Sequence, residues 1–224
     1  MFSRYRTQCF FLNEQNRGES DKIFSVYTEL FGKISVFAKS IRKKESKLLF
    51  NSSCFSLNTI EFIEGKKYRT LTDVQVVKKY DSAKNLFSRT LVNQCFNDIS
   101  CLIKDEEKDE NIWHLIIEFL NQLEKSQELS VYFHFIWKLF FWLGYSPKMD
   151  SCVLCSNKKD LDFFSLTEGG LVGRCCSNNG ILISSEAKEL IQLFSQKNFN
   201  QVEISNEQEI KQLSQKYLEY LCSK

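Results

Sequence analysis

Five short segments in which apolar and polar residues alternate crowd the first eighty positions, and most of the gaps between them are too short for a long helix. They fall at residues 5–12, 23–30, 34–38, 54–63 and 68–77. In the third, Ile34, Val36 and Ala38 alternate with Ser35, Phe37 and Lys39, the period of a strand with one buried face. Asn16 and Gly18 mark a turn over 13–19, Phe31 and Gly32 a tight reversal, and Glu64, Gly65, Lys66 and Lys67 a second hairpin turn. Five strands so connected suit a small antiparallel barrel better than an open sheet, because closure removes the exposed edges.

The third strand runs into a basic stretch. Lys33 and Lys39 are followed by Arg42, Lys43, Lys44 and Lys47, with only Glu45 opposing them. Residues 1–80 carry 15 Lys and Arg against 8 Asp and Glu, whereas residues 81–224 carry 15 against 20. The near-neutral total of +2 therefore hides a basic half and an acidic half, and the basic half suits a polyanion. Arg4, Arg6 and Arg17 lie in the same half and join the candidate phosphate contacts. The competing reading of such a run is a solvated face or a guard on an edge strand. A five-stranded barrel of the oligonucleotide-binding kind pairs a basic groove with aromatic side chains on which bases stack. Phe10, Tyr27, Phe37 and Tyr68 are candidates for that role; alternation alone does not say which face each occupies, and the core is the readier place for each.

Beyond Asp81 or Ser82, read as an N-cap, the period becomes helical, with Leu86, Phe87, Leu91, Cys95, Ile99, Leu102 and Ile103 in one stripe. The switch sets an expected division into a barrel domain, 1–80, and a helical domain, 81–224, in an α+β multi-domain chain. A helix over 112–123 follows, then an apolar stretch over 129–143 that is too short to span a membrane and is interrupted by His134 and Lys138. That stretch is expected at the centre of a helical bundle. Ser185 is read as the cap of a fourth helix, and Asn206 with Glu209 as a capping box for a fifth. No signal-like sequence opens the chain, so its nine cysteines are expected to be reduced and its location cytoplasmic.

Cys152 and Cys155 have the two-residue spacing of a zinc knuckle, and Cys175 and Cys176 follow about twenty residues later as an adjacent pair. Within the knuckle expected over 150–180, these four are either ligands of one structural zinc or small buried apolar residues in a knuckle without metal. A thioredoxin-like role needs the pair at the start of a helix after a strand, and the residues before Cys152 read as a loop. His114 and His134 sit among large apolar residues with no Ser and Asp constellation, and no phosphate loop or paired-carboxylate motif stands out. Catalytic residues are not expected.

Several segments, in order and spacing, carry a resemblance. They are Glu19-Ser-Asp-Lys22, Phe31-Gly-Lys-Ile, the run from Ala38 to Leu48, Leu143-Gly-Tyr-Ser-Pro147, Cys152-Val-Leu-Cys155, Phe164-Ser, and Gly169-Gly-Leu-Val. Along nearly its whole length the chain resembles the RecO family of bacterial DNA repair and recombination mediators. The resemblance implies an N-terminal oligonucleotide-binding barrel and a C-terminal helical domain that often holds a four-cysteine zinc. It also implies binding to single- and double-stranded DNA, annealing of complementary strands, contact with the C-terminal tail of single-stranded DNA-binding protein, and work with RecR to load RecA. In that pattern the third zinc ligand falls at Gly173 and the fourth at Cys176, so either Cys175 substitutes or the metal is lost. Two rival functions stand beside it: a protein-interaction adaptor that does not touch DNA, and a thiol oxidoreductase using Cys152 and Cys155.

Overall fold

The computed structural model describes residues 3–43, 46, 55–66, 68–80, 85–104, 106, 108–177, 180–196 and 207–224. Strands β1 (Arg4–Arg17), β2 (Asp21–Thr28), β3 (Gly32–Ala38), β4 (Ser56–Glu64) and β5 (Arg69–Lys79) close into a barrel in the order β1-β2-β3-β5-β4. Neighbours are antiparallel except β3 and β5, which close the barrel in parallel through Val36 opposite Arg69 and Phe37 opposite Thr70. This is an oligonucleotide-binding fold, and with the helices that follow it makes the chain α+β. Alternation delivers one side chain in two to the interior, where Cys9, Phe11, Phe24, Val26, Ile34, Val36, Ile60, Phe62, Leu71 and Val74 pack together. Tyr5 and Phe31 add their rings beside Phe62, with centroids 5.4 and 5.6 Å away.

β1 runs five residues beyond the expected strand, through the stretch read as a turn. A register shift between Phe11 and Asn13 lets one long strand serve two partners, β4 with its first half and β2 with its second. The turn proper is Gly18–Ser20, so Arg17 ends a strand rather than lying in a loop.

Helices α1 (Leu86–Leu102) and α2 (Glu110–Lys125) belong with the barrel in one compact unit, Met1–Gln127; Glu128–Lys224 forms the second. The change of period after residue 80 thus marks a change of secondary structure, while packing divides the chain at residue 127. Asn85, not Asp81 or Ser82, caps α1, its side chain accepting the Phe87 N–H at 2.8 Å. Leu86 and Phe87 are consequently exposed, and the buried stripe starts at Leu91 with Val92, Cys95, Phe96 and Ile99. That stripe covers the outer face of the barrel where Phe10 emerges against Phe96 and Trp113.

In the second unit α3 (Leu129–Trp142) is buried nearly all round, as expected of a central helix. Its Phe133 and His134 meet Phe194 of α4 (Ser185–Gln196), and Trp137 and Phe140 meet Tyr217 of α5 (Glu207–Cys222). Ser184 rather than Ser185 caps α4, with its hydroxyl accepting the Ala187 N–H. The Glu209 carboxylate in turn accepts from the Ser184 N–H at 2.7 Å and its hydroxyl at 2.6 Å, fixing the start of α4 from α5. Asn206 lies outside the described residues. A three-stranded sheet of β6 (Phe163–Ser165), β7 (Gly170–Val172) and β8 (Ile181–Leu182), in the order β7-β6-β8, carries the cysteine segment. Cys9, Cys95, Cys152, Cys155, Cys175 and Cys176 are free thiols, whereas Cys101 and Cys222 are disulfide-bonded, which departs from the all-reduced expectation. Among the described residues no helix is long and apolar enough to cross a membrane.

Candidate nucleic-acid interface and metal centre

The basic side chains are positioned by a loop that is fastened to the β1–β2 turn. Ile41, fully buried, plugs the barrel core and stops the chain leaving β3 from swinging free. Ser40 adopts a left-handed φ of 54°, and its N–H donates to the Asp21 carboxylate at 2.7 Å. The Arg42 N–H donates to the Ser20 carbonyl at 2.9 Å, and its guanidinium reaches the Gly18 carbonyl at 3.4 Å. Arg42 and Arg17 therefore flank the same turn. Lys39, Arg42 and Lys43 are exposed along the fastened loop, and Arg17 is exposed beside it. Glu19 is the exposed acid in that turn. Asp21, the other acid, is occupied by Ser40 and by the Ser20 hydroxyl.

The remaining candidates go elsewhere. Arg4 forms an ion pair with Glu61 on β4, and Arg6 bonds Gln75 on β5 at 3.5 Å. The Lys33 ammonium donates to the Ser100 carbonyl at 2.7 Å, near the C-terminal end of α1, where a cation is favoured. Lys44 and Lys47 lie outside the described residues. Of the four aromatic candidates, Phe10 and Tyr27 point out of the barrel but are buried, and the Tyr27 hydroxyl donates to the Asp109 carbonyl just ahead of α2. Burial pushes the Tyr27 phenol up beyond its ordinary range. Phe37 and Tyr68 stay at the surface, under the Arg17 guanidinium.

The second cluster is made of thiols. Cys152 begins a turn in which the Ser156 N–H donates to the Cys152 carbonyl and the Cys152 N–H to the Asn157 carbonyl. Gly170 must be glycine for this turn to dock: a Cβ there would stand 2.6 Å from the Lys148 carbonyl oxygen and 2.7 Å from Val153 Cγ1. The facing pair rides on a short 3-10 turn, Arg174–Cys176. The sulfurs of Cys152, Cys155 and Cys176 all lie within 4.8 Å of one another. Cys175 adds a fourth, 3.9 Å from Cys155 and 3.6 Å from Cys176. Its sulfur lies 3.7 Å from where a Cβ of Gly173 would stand, in ordinary contact with that position. A tetrahedron with about 2.3 Å bonds to sulfur has edges of about 3.8 Å, close to the two Cys175 separations, while the Cys152, Cys155 and Cys176 sulfurs stand no more than 4.8 Å apart. The Gly173 N–H, with further help from the Cys155 N–H, draws the Cys152 thiol down to about 6. Cys176, donating to Cys175 and Cys155, is pushed up to about 12. Such a cluster can hold a metal ion. Because residues 153–155 form a turn and not the start of a helix, the pair lacks the setting of a thioredoxin-like dithiol.

Two family models match the chain: one described as Recombination protein O N terminal over residues 1–80, the other as Recombination protein O C terminal over residues 99–224. The chain belongs to the RecO family. Among its relatives, a protein named DNA repair protein RecO from Syntrophomonas wolfei is 28% identical over 223 residues, 96% of this chain and 87% of the relative. Its namesake from Acetivibrio thermocellus is 27% identical over 225 residues, covering 95% and 90%. Another, from Caldanaerobacter subterraneus, is 27% identical over 175 residues, covering 77% and 71%. RecO membership accords with the barrel and with a cysteine cluster in the helical half.

The family resemblance also gains a physical reason. Glu19-Ser-Asp-Lys22 and Ala38-Lys-Ser-Ile-Arg are far apart in sequence, yet Ser20, Asp21, Ser40 and Arg42 hydrogen-bond to one another. Asp21 was not among the candidate site residues, because an acid in a basic site reads as opposition; its only signal was its place in a family segment. Asp21→Ala removes a negative charge, so simple electrostatics predicts tighter DNA binding. Fastening predicts the reverse: a loss of about five- to tenfold in affinity for a short single strand, as the loop gains freedom. Anisotropy titration at fixed salt distinguishes the two, and tighter binding would refute the fastening role.

Proposed function

We propose that this chain is a DNA repair and homologous recombination mediator that performs no bond-making or bond-breaking chemistry. The observation that carries the reading is the gathering of Arg17, Lys39, Arg42 and Lys43 about one turn of an oligonucleotide-binding barrel. Cations so placed neutralise phosphates, release counterions, and bind single- and double-stranded DNA with little regard for sequence. Two strands on one positive surface repel each other less within the Debye length, about 10 Å at 0.1 M salt, so complementary strands pair faster. Cys152, Cys155, Cys176 and Cys175 would hold one structural zinc, which would cross-brace the knuckle. The partners that accord with family membership are RecR, the C-terminal tail of single-stranded DNA-binding protein and, through them, RecA on coated strands, in the cytoplasm.

The test is annealing of complementary strands, bare and coated with single-stranded DNA-binding protein. Acceleration by tenfold or more is expected in both cases. No acceleration and no binding of bare strands would favour the adaptor reading, while acceleration of bare strands alone would reject recognition of the coat.

A further inference from the structure

Phe37 of β3 and Tyr68, one residue ahead of β5, lie on the outer surface of the barrel with ring centroids 5.7 Å apart and planes 33° apart. The interior is filled without them, since the inward positions on either side of Phe37 are Val36 and Ala38. Unlike Phe10 and Tyr27, they are not sealed beneath helices. Among the described residues, a solvent-facing cation lies over them. The Arg17 guanidinium carbon stands 4.8 Å from the Tyr68 centroid and 5.8 Å from that of Phe37, and Nη2 donates to the Tyr68 hydroxyl at 2.8 Å.

We propose that Phe37 and Tyr68 receive an unpaired nucleobase, and that Arg17 is a displaceable cover which leaves the rings and takes the adjoining phosphate. The inference rests on the DNA-binding reading above and adds to it a means of telling single strands from duplex.

The chemistry favours the exchange. A hydrated guanidinium over half-buried rings is held weakly, whereas a base loses little solvation of its own on stacking and covers both rings more fully. After the exchange Arg17 meets a phosphate oxygen, a partner of opposite charge that the rings do not provide. A duplex gains none of this, because its bases are already stacked and it presents only backbone to Lys39, Arg42 and Lys43. Arg69, the residue after Tyr68, grips Glu106 through two bonds of 2.7 and 2.8 Å and reaches Glu64 at 3.3 Å.

The experiment compares the full chain with Phe37→Leu, Tyr68→Leu and Tyr68→Phe by anisotropy, using an oligothymidylate and a mixed-sequence duplex of equal length over a range of salt. A second single strand carries one 2-aminopurine, whose emission is quenched on stacking. The leucine variants are expected to lose about tenfold for the single strand, less than twofold for the duplex, and the 2-aminopurine quench, with an unchanged salt slope. Tyr68→Phe keeps the ring but releases Arg17, and is expected to bind the single strand at least as tightly as the unmodified chain. Equal losses on both ligands, or an undiminished quench in the leucine variants, would overturn the platform while leaving phosphate binding intact. Failure of the unmodified chain to bind either ligand would overturn the platform and the DNA-binding reading together.

Discussion

Chain prepared in the presence of zinc will carry one metal ion per molecule, and Cys152→Ala or Cys176→Ala will carry none. Both residues belong to the mutually close sulfur triad, and a site left with too few thiolates loses most of its affinity. The informative variant is Cys175→Ala. If its sulfur takes the corner that Gly173 leaves open, metal affinity should fall by at least 100-fold, and adding Gly173→Cys should restore it. The second change is sterically open: Gly173 has φ −77°, and its nearest neighbours to a new Cβ stand 3.6 Å away. Full metal content in Cys175→Ala would show that three thiolates suffice. The pH dependence has a definite sign. Cys152, at about 6, is already a thiolate at neutral pH, whereas Cys176, at about 12, must release a proton when metal arrives. Affinity should therefore rise with pH, by up to about tenfold per unit for each thiol still protonated, and drop further once acidification passes about 6 and Cys152 also takes a proton. Competition with a chromophoric chelator between pH 6 and 8 measures it.

Replacing Arg42 and Lys43 together by glutamate is the second change with a large expected effect. Each phosphate contact on a single strand contributes about 0.7 to the slope of log affinity against log salt, so losing two should flatten it by about 1.4. Affinity at 0.1 M salt should fall by about 100-fold, since reversal adds repulsion to the lost counterion release. Arg4→Gln and Lys33→Gln serve as controls: each removes one positive charge where the guanidinium already answers Glu61 and the ammonium already meets the Ser100 carbonyl. Their slopes should change by much less. A slope unaltered in the double variant would place the phosphates elsewhere.

The barrel was legible because its signal is local. Ile34, Val36 and Ala38 announce an inward face by alternation, and the interior they enter is the one observed. The apolar run of α3 likewise declares a buried helix by composition alone. The misses share a cause. Residues 13–17 of the turn expected at 13–19 are strand, because the bulge after Phe11 allows β1 to pair with two partners, and pairing across the barrel overrides the local Asn16 signal while the turn begins at Gly18. The caps of α1 and α4 were displaced by up to four residues, since several Ser and Asp side chains could fill a cap and only the folded chain selects one.

Sequence by itself determined the kinds of element, the basic and acidic halves, the spacing of the thiols and the family, because periodicity, charge and motif order are all properties of neighbouring residues. Tertiary structure alone decided which cations stand together and which are spent on Glu61 or the end of α1, which two of four aromatic rings stay at the surface, and that the Cys175 sulfur stands beside Gly173. Those choices are set by contacts between residues tens of positions apart. Alternation says only that a side chain leaves the barrel; whether a helix, a carboxylate or solvent waits outside depends on how the rest of the chain has folded over it.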